Sequence, residues 1–421
     1  MSSKLKRYEL TARGQKYAFQ GLELPYFVFE LREPVQPELL CIAARRAVKL
    51  HPLFGTTMKT DGLYFLEEDP EWEQHPEGTV IAGGAGNPLW KIMCTENRVL
   101  LTGSHALSDG MGFMQFAATL FHLYFELCGV RFSEAAGCDI PEDPEKTTTH
   151  PADLCPGPQE YSLGFPKFPP PALLPEAAFS IKEPESLHMI EFAEDEIRRF
   201  ASQSETSVFS VIACLLARTA ENAFQMTEGS IIVRVPVDFR KSFSTYTDYN
   251  FSQGFSLCYR PEKMAHMSDS LVETAFRSQL DIYTDKDNMV YSLQKDLQRL
   301  ERMKEDRTGF ISFRKQAEDA GEPRAIIRYS HLTRPSFSEE LSREFTRLFM
   351  VSDSEVAPSM LVGAISLNGK ITMTVNQHVT GHRFTDALKN SLDRKGIDYT
   401  IREIRLRDIL PAASPDNFKK E

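Results

Sequence analysis

The densest chemistry in the sequence lies in "SHALSDG", Ser104 to Gly110. His105 and Asp109 stand four residues apart, with a glycine directly after the aspartate. An imidazole near neutrality can take a proton from a hydroxyl or amine as that group attacks a carbonyl. Asp109 could bind a cation or cap a helix, and Gly110 lets another chain or a ligand approach the backbone closely. These residues leave two readings open. In one, His105 is a base held over a cleft; in the other it is a hydrogen-bonded turn residue and Asp109 only an N-cap. Spacing alone favours the second, because H-x-x-x-D arises readily by chance.

The flanking residues decide where the segment sits. Val99, Leu100, Leu101 and Thr102 read as a buried strand. Phe113, Phe116, Leu120, Leu123 and Leu127 recur at helical spacing. Ser104 to Gly110 is therefore the turn between a strand and a helix, where polar side chains can face an open cleft. Upstream, "YFVFELREPV" reads as a strand, and Pro37 opens a helix, "PELLCIAARRAVKLHP", with Leu39, Ile42, Ala43, Ala47 and Leu50 on one face. Asp61-Gly62 between two β-prone runs signals a hairpin.

From residue 137 to 184 prolines crowd together and regular patterns lapse, as in a crossover or linker. A boundary near residue 180 divides the chain into units 1–180 and 181–421. The second unit restarts with a strand, "SLHMIEFA", and a helix from Asp195. Thr206 or Ser207 caps "SVFSVIACLLARTAENAF", a helix apolar nearly all round and so buried. "SIIVRVPVDFRKSF" is a strand ending at Asp238 and Arg240. Charged helical stretches are expected from about 267 to 349, then a hairpin turning at Asn368-Gly369 and a helix from about Thr380. "VLLTGSHALSDGMGFMQFAATL" and "ITMTVNQHVTGHRFTDALKNSL" share strand, polar turn and helix in that order, a weak internal echo.

A chain of 421 residues exceeds one ordinary core, so two domains of about 200 residues each are expected. The net charge of -11 argues against nucleic acid or an anionic membrane as partner. No apolar run approaches a membrane span, and "MSSKLKRYEL" lacks the apolar core of a signal peptide. The seven cysteines are odd in number and never in CxxC spacing, which suits thiols in a reducing, cytoplasmic setting. Other polar residues take plainer readings. His378 and His382 lack a third metal ligand and read as a surface pair at a helix start. His51, before Pro52, reads as a C-terminal cap. Ser210 is not in GxSxG, "IAGGAGNP" lacks a strand–GxGxxG–helix setting, and Cys94 has no adjacent base.

The order of these pieces carries a resemblance. "LLCIAARRAVKLHPLFG", a hairpin, "SHALSDG", "SVFSVIACLLARTA" and "IIVRVPVDFR" follow one another as in the CoA-dependent acyltransferase superfamily, which includes nonribosomal peptide condensation domains and alcohol acetyltransferases. The likeness spans roughly residues 26 to 388. It implies an α/β chain of two similar chloramphenicol-acetyltransferase-like subdomains, each a mixed sheet with flanking helices, set as a V around a channel. In the family motif HHxxxDG, His105 matches the second histidine, which deprotonates or orients the acceptor. Asp109 matches a structural aspartate that pairs with an arginine, here Arg240, and Gly110 matches the motif glycine beside the channel. Ser104 replaces the first histidine, which leans away from peptide-forming condensation, and the absence of DFGWG sets aside the plant branch. Asn376 and Gln377, on the strand that would supply the second channel wall, are candidate channel residues.

The resemblance implies transfer of an acyl group, acetyl first among them, from acyl-CoA to an alcohol or amine, with His105 as general base. Acyl-CoA is then a co-substrate, and no metal, bound cofactor or covalent intermediate is expected. A monomer is expected. Two alternatives stand beside this reading: a stand-alone condensation enzyme drawing on acyl carrier protein thioesters, and a non-catalytic binding homologue.

Overall fold

The computed structural model describes residues 7–20, 25–59, 62–65, 71–75, 78–82, 89–133, 139–154, 168–174, 186–305, 324–332, 336–351, 360–377 and 381–409. The strands are β1 (Arg7–Tyr8), β2 (Tyr26–Leu31), β3 (Thr56–Lys59), β4 (Gly62–Phe65), β5 (Glu71–His75), β6 (Gly78–Ala82), β7 (Trp90–Thr95) and β8 (Arg98–Gly103). They continue as β9 (Ser186–Ala193), β10 (Ile231–Asp238), β11 (Ser252–Tyr259), β12 (Ile326–Leu332), β13 (Phe345–Val351), β14 (Met360–Leu367), β15 (Lys370–Gln377) and β16 (Tyr399–Arg405). The longer helices are α1 (Ala12–Gln20), α2 (Pro37–Leu50), α3 (Gly110–Leu127), α4 (Glu194–Gln203), α5 (Val208–Phe224), α6 (Asp269–Thr284), α7 (Lys286–Glu305) and α8 (Arg383–Lys395).

Two large sheets organise the chain, in the α/β architecture expected. One has the order β13-β2-β8-β7-β6-β5, antiparallel at every pairing. The other, β11-β10-β12-β14-β15-β9-β16, is mixed, with β12 parallel to both β10 and β14. A small third sheet joins β1, β4 and β3. The seven-stranded sheet takes every strand from beyond residue 180. The six-stranded sheet takes five from before it and one, β13, from after it.

Local sequence explains the elements around the motif. In β2 every side chain except that of Glu30 is buried, as a strand covered on both faces requires. α3 is buried without interruption from Gly112 to Phe125, so it runs through the first core as a central rod. α5 starts on a Ser207 cap, with Ser210 N–H donating to Ser207 Oγ at 3.1 Å, which decides between Thr206 and Ser207. The turn at Asn368-Gly369 is a hairpin, with Leu367 facing Lys370 and both central residues at positive φ. Lys59 faces Gly62 in the Asp61-Gly62 hairpin, although Asp61 itself lies outside the described residues.

Two expectations change. Among the described residues the charged stretch from 267 to 349 is helical in α6, α7 and a single turn at Glu339–Ser342, and it also holds the strands β12 and β13. "IIRYSHL" and "FTRLFMV" are dense in β-branched and aromatic residues; the first fits between β10 and β14 and the second pairs along β2. The final helix begins at Arg383 and the helix expected from Asp195 begins at Glu194, shifts within ordinary end variation.

The halves are joined along β13. Thr374 Oγ1 on β15 donates to Met350 O at 2.7 Å, and a Cβ on Gly363 would stand 3.1 Å from Met350 Cβ. Tyr26, Val28, Met93 and Leu100 from one sheet pack with Leu187 and Met189 of the other. Arg347 bridges Glu30 and Glu191, the latter at 2.8 Å, so charge as well as apolar surface crosses the seam.

Candidate active site

β8 delivers the chain into the turn at Gly103, and α3 takes it away at Gly110. Asp109 is the N-cap: its Oδ1 accepts from Met111 N–H at 3.1 Å and Gly112 N–H at 3.0 Å. The same carboxylate meets Arg240 in a bidentate pair, Nη2 to Oδ1 at 2.9 Å and Nη1 to Oδ2 at 3.1 Å. Phe251 N–H donates to Oδ2 at 2.7 Å. Capping and ion pairing, weighed as rivals in the sequence, are both performed by one side chain.

Arg240 completes its valences with Thr247 O at 2.7 Å, Tyr249 O at 2.6 Å and Asp238 Oδ1 at 2.7 Å. Both partners are buried, which a charged pair tolerates only when such bonds are made. Burial works against the charge on Asp109, yet the Arg240 guanidinium and the backbone N–H groups hold its carboxyl below the ordinary value. Burial, with Asp109 alongside, instead raises the Asp238 carboxyl.

His105 is half-buried. Its Nδ1 lies 3.0 Å from Ser108 O and 2.9 Å from Asn250 Nδ2, and Asn250 Nδ2 also donates to His105 O at 3.0 Å. Ser108 O can only accept and Asn250 Nδ2 only donate, so Nδ1 serves one of them at a time; with its hydrogen on Nδ1 the ring donates to Ser108 O, Asn250 Nδ2 bonds His105 O, and the lone pair lies on Nε2. Among the described residues the ring's hydrogen-bond contacts all fall at Nδ1. Burial of the ring, then the charge of Arg13, lowers the His105 pKa to about 4, although Asp109 pulls the other way. The imidazole is neutral at pH 7 with Nε2 available.

The remaining candidates divide. Ser104 is a turn residue: its Oγ accepts from Ala106 N–H at 3.2 Å. Gly110 has space, since a Cβ there would meet only Phe27 Cζ at 3.5 Å. Gly112 is the residue that cannot carry a side chain, because a Cβ would stand 2.6 Å from Asp248 O and 2.1 Å from Ser108 Oγ. Asn376 shares a face of β15 with Thr374, which reaches Met350 of the other sheet, so Asn376 faces the seam; Gln377 faces the opposite way and bonds Gly381 O. No described contact joins either to His105.

His51 is the C-cap of α2, as expected, and does more. Its side chain is fully buried, with Nδ1 2.9 Å from Asp248 Oδ2 and Nε2 2.8 Å from Thr119 Oγ1. Its backbone caps α2, with His51 N–H donating to Ala47 O at 2.9 Å, while its side chain ties the end of α2 to α3 and to the 239–251 loop. His378 lies outside the described residues, and His382 is at the head of α8, its ring 5.5 Å from that of His188. Ser210 and Cys94 are buried in the two cores, and most of "IAGGAGNP" lies outside the described residues.

Asn250, Tyr17 and Arg13 were not singled out in the sequence. Tyr17 stacks on His105 with ring centroids 4.1 Å apart. Only Asn250 left a signal, as a polar residue in "TDYNFSQGF", ten positions beyond Arg240 on the same loop. A cavity of about 390 Å³ lies beside β11 and α7, lined by Arg234, Gln253, Phe255, Tyr283, Lys295 and Asp296 among others. Its size falls in the range of small-molecule sites.

No family model and no curated protein matches the sequence. Solved structures do match in shape. TRI101 of Fusarium graminearum, complexed with coenzyme A and deoxynivalenol, superposes with a TM-score of 0.64 over 94% of this chain and 99% of that one, at 10% identity. TRI3 trichothecene 15-O-acetyltransferase of Fusarium sporotrichioides gives 0.58 over 93% and 94%, at 8% identity. The nonribosomal peptide synthetase FmoA3 gives 0.58 over 93% of this chain and 42% of that longer one, at 16% identity. With the motif turn, the Asp109–Arg240 lock and the two-sheet frame in place, the chain has the fold of the CoA-dependent acyltransferase and condensation-domain superfamily.

Proposed function

We propose that this protein is an acyltransferase that moves an acyl group, acetyl first among candidates, from acyl-CoA to a hydroxyl or amine. One observation carries the reading: the His105 ring is held at Nδ1 beside Ser108 O, its described hydrogen-bond contacts leave Nε2 uncovered, and its burial favours the neutral form that can take a proton there. The acceptor O–H or N–H gives its proton to Nε2 as its oxygen or nitrogen bonds to the thioester carbon. The tetrahedral adduct then collapses, the carbon–sulfur bond breaks, and the imidazolium returns the proton to the departing thiolate. Asp109 and Arg240 fix the turn and do not touch the reacting atoms. The reading includes a monomer working in the cytoplasm, which gel filtration and fractionation would check.

The test is thiol release from acetyl-CoA and longer acyl-CoAs against a panel of alcohols and amines, with parent and His105→Ala side by side. Acceptor-dependent release should fall by roughly 10³-fold or more in the variant, the loss expected when a base is removed. Equal release by both proteins would remove His105 from the chemistry. If only acyl carrier protein thioesters serve as donors, the condensation-type alternative replaces acyl-CoA.

A further inference from the structure

Helix α1 places two side chains at the site that the acyl-transfer reading leaves unused. The Tyr17 ring lies flat on His105, with centroids 4.1 Å apart and planes 14° from parallel. Arg13, one turn earlier, donates from Nε to Tyr17 Oη at 3.0 Å, and its guanidinium carbon stands 5.3 Å from the Tyr17 ring centre. That guanidinium also bonds Oε1 of Gln253 on β11 and lies 3.7 Å from Asp296 Oδ2 on α7. Gln253 Nε2 in turn donates to Asp296 Oδ2 at 2.5 Å. The helix is pressed onto the motif turn, since a Cβ on Gly14 would stand 2.7 Å from Ala106 O. A polar chain thus runs from β11 and α7 through Arg13 and Tyr17 to the imidazole.

We propose that Tyr17 and Arg13 are positioning residues for His105, the first fixing the plane of the imidazole and the second fixing Tyr17. This inference rests on the proposed role of His105. Ser108 O and Asn250 hold only the Nδ1 edge, so without a face contact the ring can swing about that edge. A stacked phenol removes the swing and leaves the in-plane Nε2 uncovered. Stacking of this kind contributes on the order of 1 kcal/mol beyond area burial, and small errors in the placement of a base cost much more in rate.

The charged groups around the ring are few. Arg13 and Lys16 lie on α1, Lys16 Nζ 5.6 Å from the Tyr17 centroid. Asp109 sits at the head of α3 with Arg240 and Asp238 behind it, and Asp248 turns its carboxylate to His51. Arg13 is the cation that opposes protonation of His105, and Asp109 the anion that favours it.

The test compares parent, Tyr17→Phe, Tyr17→Leu and Arg13→Gln by two readouts: kcat and KM against pH, and ¹³C-histidine NMR titration of His105, assigned by its loss in His105→Gln. Tyr17→Leu should lower kcat roughly ten- to a hundredfold with KM for the acyl donor within about threefold of parent, and Tyr17→Phe should recover most of that loss. Arg13→Gln should move the His105 midpoint upward from about 4, as removal of a nearby like charge requires. Parental kcat in Tyr17→Leu, equal loss in Tyr17→Phe and Tyr17→Leu, or an unmoved midpoint in Arg13→Gln would each overturn the proposal. The titration needs no turnover. A parent inactive on every donor therefore defeats the acyl-transfer reading while the midpoint shift still decides this one.

Discussion

Two buried carboxylates tie the 239–251 loop to the first half of the molecule, and they do it with unequal thoroughness. Asp109 collects three backbone N–H groups and two guanidinium nitrogens. Asp248 meets one imidazole nitrogen of His51, whose other nitrogen rests on Thr119. The first tether pins the loop beneath the His105 turn, and the second pins it to the C-terminal end of α2 and the middle of α3. A guanidinium with every N–H committed holds its carboxylate from two sides in a dry site, whereas an imidazole has one nitrogen for Asp248 and spends the other on Thr119. The lock nearest His105 is therefore the more heavily bonded of the two.

Breaking the stronger lock should have the larger effect. Asp109→Ala strands Arg240 and removes the α3 cap, and should cost about 3–5 kcal/mol in urea unfolding. The folded carboxyl lies below its ordinary value, so this contribution is present above pH 3.8 and is lost as pH falls through the lower, folded value. The gap between parent and variant should hold steady from pH 7 to 5 and close only in stronger acid. Next in size, Gly112→Ala should destabilise by about 1–3 kcal/mol through overpacking against Asp248 O, while Gly110→Ala stays within about 1 kcal/mol of parent. A reversed order in the melting temperatures would show that the tight contact lies at the other glycine. Asp248→Asn should be the mildest break of a tether, about 1–2 kcal/mol, because the amide oxygen can still accept from His51. If it proves costlier than Asp109→Ala, the ranking of the two locks is wrong.

The strand–turn–helix at His105 was legible because its signals are local: a β-branched and leucine run, a polar turn, then apolar residues at helical spacing. The hairpin at Asn368-Gly369 was legible for the same reason. The Asp109–Arg240 pair spans 131 positions and was reached only through resemblance. Nothing local marks His51 for Asp248, or Tyr17 for His105, because each depends on how distant loops and helices come to rest. Gly110 drew notice by its place after Asp109, yet the close approach falls at Gly112, where the loop carrying Asp248 passes. β12 and β13 were hidden in a charged region, since what makes "FTRLFMV" a strand is the open edge of β2, more than 300 residues away in sequence.

That edge has a bearing on how the protein is made. β2 and β8 are complete once residue 103 has been synthesised, but the neighbour of β2 on its other side is β13, which ends at Val351. At about 5–20 residues per second, a ribosome needs on the order of 10–50 s to bridge that interval. Throughout it the nascent chain carries "YFVFEL" with one row of backbone N–H and C=O groups unanswered, an adhesive ribbon for any other strand. The first sheet is thus complete only once β13 has followed β8 at a distance of more than 200 residues.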